Sequence, residues 1–196
     1  MELNHFFAVI SRMKYINRWG LMRNTRNENI SEHSLDTAVI AHAIGVIGVQ
    51  RFGRAYDVSR AALLAVFHDT SEIITGDLPT PVKYHSDDIR EAYKKVEDIA
   101  QDNLLSMLPE DLRQHYKGLL KQDDEGDREL LRLVKAADKI SAIIKCIEEK
   151  KSGNREFEKA EETLRSAVRD IKLPEADCFI DEFLPSYELT LDEQKI

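Results

Sequence analysis

Thiols are scarce in this chain. Two cysteines, Cys146 and Cys178, occur among 196 residues, far apart and outside any CxxC or metal-type spacing. A disulfide-stapled framework and a thiolate zinc site are therefore excluded, and a reducing compartment fits. Long apolar runs are missing as well. The longest, Ala38 to Val49, contains His42 and two glycines and falls short of the ~20 residues that a membrane crossing needs. The N-terminus lacks a charged-then-apolar leader pattern, so a cytoplasmic protein with no membrane partner is expected. Positive charge is in deficit: a net charge of −8 argues against a nucleic-acid polymer or an anionic lipid surface as partner. Period-2 strand patterns, internal repeats and low-complexity segments are absent from the sequence too. What remains is an all-α chain of a length suited to one domain over residues 1–196.

Apolar residues recur at helical steps nearly throughout. A first amphipathic helix is expected to end near Ile16. The second, about Glu32 to Gln50 with Ser31 as its cap, should bury Leu35, Val39, Ile40, Ala43, Ile44 and Ile47, with His42 packed. Asp57 caps a third helix that should run unbroken to Thr75, where Gly76 ends it. Charged helices follow from Ser86 or Asp87 to about Met107, with Tyr93, Val96, Ile99, Ala100 and Leu104 as its apolar edge, and from Pro109 to Leu120. Asp127 to Lys151 is strongly apolar, Arg155 to Ile171 mostly charged, and Leu173 to Leu184 short.

Chemistry concentrates around Phe67-His68-Asp69-Thr70-Ser71-Glu72. The run Ala61 to Phe67 before it is apolar at every position, so it should be buried all round and deliver His68, Asp69 and Glu72 into the fold. Ionisable groups brought inside are paired or hold a metal, because unpaired burial costs several kcal/mol. Asp138, flanked by Ala136, Ala137 and Ile140, points at the core in the same way, and His33 lies in the first turn of the second helix. Taken alone, His33 reads as an ordinary core or cap residue. With His68, Asp69 and Asp138 it makes a nitrogen and oxygen set suited to Mn, Co, Ni, Zn or Fe(II). Such a cation acidifies water, and Glu72 is placed to orient or deprotonate that water or to protonate a leaving oxygen.

Two further stretches remain open between a structural and a ligand reading. Between Glu2 and Glu28 no acidic residue occurs, while Arg12, Lys14, Arg18, Arg23 and Arg26 are cationic, and Arg18 precedes the only tryptophan, Trp19. This is either a solvated basic face with an indole plugging a helix junction, or a guanidinium fork and flat plate for an anionic, ring-bearing ligand. Asp77-Leu78-Pro79-Thr80-Pro81 is a stiff loop, either a plain terminator or the lip of a pocket.

A separated His, an adjacent His-Asp and a distal Asp resemble the HD-domain metal-dependent phosphohydrolases, here as His33, His68-Asp69 and Asp138. Asn17-Arg18-Trp19, Asn29 to Ser34, His68 to Glu72, Thr75 to Tyr84 and Lys135 to Asp138 extend the resemblance to the bacterial 5′-deoxynucleotidases of the YfbR type. The resemblance implies hydrolysis of deoxyribonucleoside 5′-monophosphates, a divalent ion with cobalt favoured, and a homodimer. It makes His33, His68, Asp69 and Asp138 metal ligands, with His33, Asp69 and Asp138 also against substrate, and Glu72 the residue acting on water. Arg18 would orient the phosphate, Trp19 would disfavour a 2′-hydroxyl, and Asp77, Leu78, Pro79 and Thr80 would line the sugar side. The competing expectation is a helical HD protein that senses, or hydrolyses, another nucleotide or phosphoester. Residues 87–122 and 152–196 carry no motif and predict nothing about the base.

Overall fold

The structure, a computed structural model, describes residues 3–83 and 85–194; Tyr84, the last residue of the proline-loop motif, lies outside them. Ten α-helices are present among the described residues: α1 Phe6–Ile10, α2 Ile30–Phe52, α3 Val58–Phe67, α4 Glu72–Thr75, α5 Thr80–Lys83, α6 Asp87–Ser106, α7 Glu110–Lys121, α8 Arg128–Lys151, α9 Glu158–Ile171 and α10 Pro174–Glu182. Single 3-10 turns join several of them, and no strand occurs among the described residues beyond one antiparallel bridge, Asn17 to Asn29. The chain is all-α, as its periodicity requires.

The core is built where α2, α3 and α8 meet, with α9 and α10 closing it. α2 turns its small residues toward its neighbours. A β-carbon on Gly45 would lie 2.9 Å from Val58, and one on Gly48 would lie 2.7 Å from Tyr56. That requirement for close approach fixes which face of α2 points inward. Ile30, His33, Thr37, Ala41 and Ile44 are buried, whereas Leu35 and Val39, expected inside, are 63% and 62% exposed. His42 is exposed as well. The cap is Asn29 and not Ser31: the Asn29 side chain accepts from the Ser31 and Glu32 amides at 3.0 Å each. Ile30, fully buried, draws the first turn in earlier than the serine would. By length and hydropathy α2 is long enough to cross a membrane, but its inward face is taken up by α3, α8 and α10.

The helix expected from Val58 to Thr75 breaks at His68. Side chains there compete for the main chain: the His68 Nδ1 bonds the Ala65 carbonyl at 2.7 Å, and the Thr70 hydroxyl donates to the Phe67 carbonyl at 2.8 Å. The backbone tightens into i→i+3 turns through residue 71 before α4 begins. His68, Asp69 and Glu72 therefore stand on a tight turn, not along one helical ridge. Leu63 and Val66 of the preceding run are about two-fifths exposed, at 42% and 39%, so α3 is half covered, not buried all round. A second apolar cluster of Phe6, Leu104, Leu105, Leu108 and Leu120 lies under α6 and α7, and Val96 and Ile99 stay outside it.

Candidate active site

α2 and α8 cross so that His33, wholly buried, faces the Asp138 to Ser141 turn of α8. Its Nδ1 lies 3.1 Å from the Ser141 hydroxyl, and its Nε2 3.1 Å from Asp138 Oδ1 and 3.6 Å from Asp69 Oδ2. His68 arrives from the turn after α3. The Ala65 carbonyl only accepts, so His68 Nδ1 carries its proton and Nε2 is left facing Asp69 Oδ2 at 3.2 Å. Nε2 has no hydrogen-bond partner despite being buried. An imidazole lone pair opposite a carboxylate needs something electropositive between them, either a proton or a cation. One ligand atom each from His33, His68 and Asp138 lies within 4.8 Å of the others. Asp69 stands beside both rings.

The charges confirm how tightly the groups are drawn together. Burial alone would lower His68 and raise Asp69, but each outweighs it for the other: His68 rises to about 9, and Asp69, helped by His33 and Arg18, is held well below the usual carboxylate range. Asp138 is lowered to about 2, burial being overcome by its bond to His33. Glu72 behaves oppositely. Burial first, then the charges of Asp69 and Asp77, push its carboxyl up to about 9, and its Oε2 is buried without a partner.

Arg18 and Trp19 lie on the loop that runs from the 3-10 turn Ser11–Tyr15 to α2. The Arg18 guanidinium reaches Asp69 Oδ2 at 3.3 Å. Trp19 packs edge-on against Phe157 with centroids 5.2 Å apart. Its backbone adopts φ 60°, a left-handed conformation that costs a residue with a β-carbon about 1–2 kcal/mol. Together with Asp77, Pro79, Thr80 and Asp138 these two residues border a cleft of about 620 Å³, a size suited to a small ligand. Burial raises Asp77 while Arg18 opposes it. Leu78 is half-buried and is not part of the lining. Part of the lining is unforeseen: Lys159, Ala160, Thr163 and Leu164 of α9 border the same cleft, as do Leu21 and Met22. Glu28, which holds Arg18 and Trp19, was also missed; its one signal was that it is the first acid after a long acid-free stretch.

A helical fold with a His, His-Asp, Asp cluster at one end of a small-molecule cleft has the architecture of an HD-domain phosphohydrolase. An HD-domain phosphohydrolase from Listeria innocua superposes with a TM-score of 0.78 at 22% identity, covering 97% of this chain and 92% of that one. The cyanophage S-2L HD phosphohydrolase DatZ, bound to dA and one catalytic Zn2+ ion, superposes with a TM-score of 0.66 at 19% identity, covering 93% and 96%. Sequence comparison is more particular. A family model described as 5′-deoxynucleotidase YfbR-like matches residues 5–187. A 5′-deoxynucleotidase of Vibrio vulnificus is 46% identical over 98% of this chain and 99% of its own length; one of Yersinia pseudotuberculosis is 48% identical over 97% and 96%. The chain belongs to the YfbR-like 5′-deoxynucleotidase family.

Proposed function

We propose that the protein removes the 5′-phosphate from deoxyribonucleoside 5′-monophosphates, with His33, His68, Asp69 and Asp138 holding one divalent cation. The observation that carries this is the buried, unpartnered Nε2 of His68 facing Asp69, in a set of two imidazoles and two carboxylates beside the cleft in which ligand atoms of His33, His68 and Asp138 lie within 4.8 Å of one another. Such a set fits a divalent transition ion, cobalt among the candidates together with manganese, zinc, nickel and iron(II). When bound, the cation supplies positive charge toward a phosphate dianion and acidifies nearby water.

The chain's own residues do the rest. Arg18 binds and orients phosphate oxygens through its terminal nitrogens. Glu72, buried with its Oε2 unpartnered and its carboxyl held protonated by burial and the nearby carboxylates, is set to give a proton to the departing 5′-oxygen and to regain one from the attacking water. Trp19 and the Asp77–Thr80 loop hold the deoxyribose side, and the wall of α9 faces the base. We further propose a single domain, a cytoplasmic location and a homodimer.

Phosphate release from the four common deoxynucleotides, with and without chelation, tests the reading. Metal-dependent release from deoxynucleotides in preference to ribonucleotides is expected. Release that survives exhaustive chelation, or none from any deoxynucleotide in protein shown to contain metal, would refute it.

A further inference from the structure

Glu28 has no part in the scheme above, yet one of its oxygens organises two residues that do. We infer that Glu28 is the positioning residue for deoxyribose selectivity, holding the Trp19 indole in the cleft and aiming the Arg18 guanidinium. The inference rests on the substrate reading just given and adds the residue on which its sugar preference depends.

Glu28 Oε2 accepts from Trp19 Nε1 at 2.8 Å and from Arg18 Nε at 3.1 Å. Its main-chain carbonyl also accepts from the Arg18 amide at 2.9 Å. Because Nε is spoken for, the guanidinium presents its terminal nitrogens to the site, one of them at Asp69. Glu28 is nearly buried, its side chain 11% exposed, so these bonds are little diluted by water. Trp19 needs such a tether. Its left-handed backbone is not one a tryptophan prefers, and beyond this bond the indole has an edge contact with Phe157 and a cation contact with Arg18. Two donors converging on one anionic oxygen couple the phosphate grip to the sugar wall: where one goes, the other is placed.

Glu28→Ala and Glu28→Gln, compared with wild type, test this with two readouts. The first is kcat/KM for a deoxynucleoside monophosphate against its ribonucleotide. The second is the emission and acrylamide quenching of Trp19, which is the sole tryptophan and so reports on itself without metal or substrate. In Glu28→Ala the deoxy-to-ribo ratio should fall about tenfold, the scale of one lost charge-assisted hydrogen bond, and the emission should shift to the red with stronger quenching. Glu28→Gln, which keeps an acceptor of the same shape, should recover part of both. A merely structural role would lower turnover of both sugars alike. An unchanged ratio in folded variants overturns the inference whatever the emission does, and a changed ratio with unmoved emission overturns its route through the indole. If Glu28→Ala does not fold, Glu28→Gln decides by the same two criteria. Wild-type enzyme that hydrolyses both sugars equally would defeat the substrate reading itself and the selectivity role with it; the emission arm would still decide whether Glu28 holds the indole.

Discussion

His68 shows how much one hydrogen bond settles. With Nδ1 committed to a carbonyl, Nε2 offers the site a lone pair or a proton and nothing else. Glu72 has a different task, and the two separate experimentally. Glu72→Gln should retain bound metal but lose about 10²–10⁴ in kcat, the scale of general acid–base assistance, with a small change in KM. Metal analysis beside steady-state kinetics checks both halves; a sensor without chemistry would show background release from variant and wild type alike. Trp19→Ala should raise ribonucleotide turnover relative to deoxynucleotide, measured as a ratio of kcat/KM. At this scale His68, Asp69 and Asp138 were legible because burying such groups beside apolar helices demands mutual partners, His33 only in their company and Arg18 only through the family resemblance; the structure brings all five together. Glu28 was not legible. A single acid in a polar loop has no pattern, and its meaning lies in what the fold brings to it.

At the level of elements, the loop carrying Arg18 and Trp19 is pinned to α8 by a buried charge. Glu149 accepts from the Thr25 amide and hydroxyl at 2.9 and 2.8 Å and from Asn154 at 2.8 Å, and it pairs with the buried Lys145. Asn154 also donates to the Arg23 carbonyl at 2.6 Å. Removing one member of a buried, hydrogen-bonded pair costs about 3–5 kcal/mol, so Glu149→Ala should lose stability on that scale and raise KM for nucleotide as the loop loosens. Denaturant titration and kinetics check it. The pH dependence follows from the sign of the shift. Burial disfavours the Glu149 charge, but Lys145, the Thr25 amide and Asn154 outweigh it and lower the carboxyl to about 2. Its contribution is therefore complete above about 4.5, the ordinary value, and is lost as pH falls from there toward 2. Glu149→Gln should flatten stability against pH across that window. Sequence periodicity placed α8 well but hid Lys145 and Glu149 among its apolar residues. It also ran α3 straight through His68, because side-chain competition for carbonyls leaves no trace in hydrophobic spacing.

Across the whole molecule, the exposed side of α2 stands out. Leu35, Val39 and Val46 stay 63%, 62% and 37% exposed along one face of a rigid core helix. Scattered surface leucines need no explanation, but an aligned stripe is where the homodimer proposed above is expected to pair. Leu35→Lys combined with Val39→Lys should shift the protein to monomer in sedimentation without unfolding it, and an unchanged mass would place the interface elsewhere. The all-α class could be read from spacing alone, but not the count, since eight expected helices become ten where the third breaks at His68 and Thr80–Lys83 of the proline loop winds into a helical turn; nor could the inward face of α2, because the close approach of Val58 and Tyr56 to its glycines decides it.

One helix, α8, carries Asp138 near its middle and the Lys145–Glu149 anchor two to three turns further on. The spacing between the proposed cation cluster and the loop that carries Trp19 is thus set along a single helix. Substitutions that reshape substrate choice from this side of the molecule will tend to disturb rate in the same stroke, so a relaxed-specificity descendant is more easily reached through the α9 wall, which belongs to a separate element.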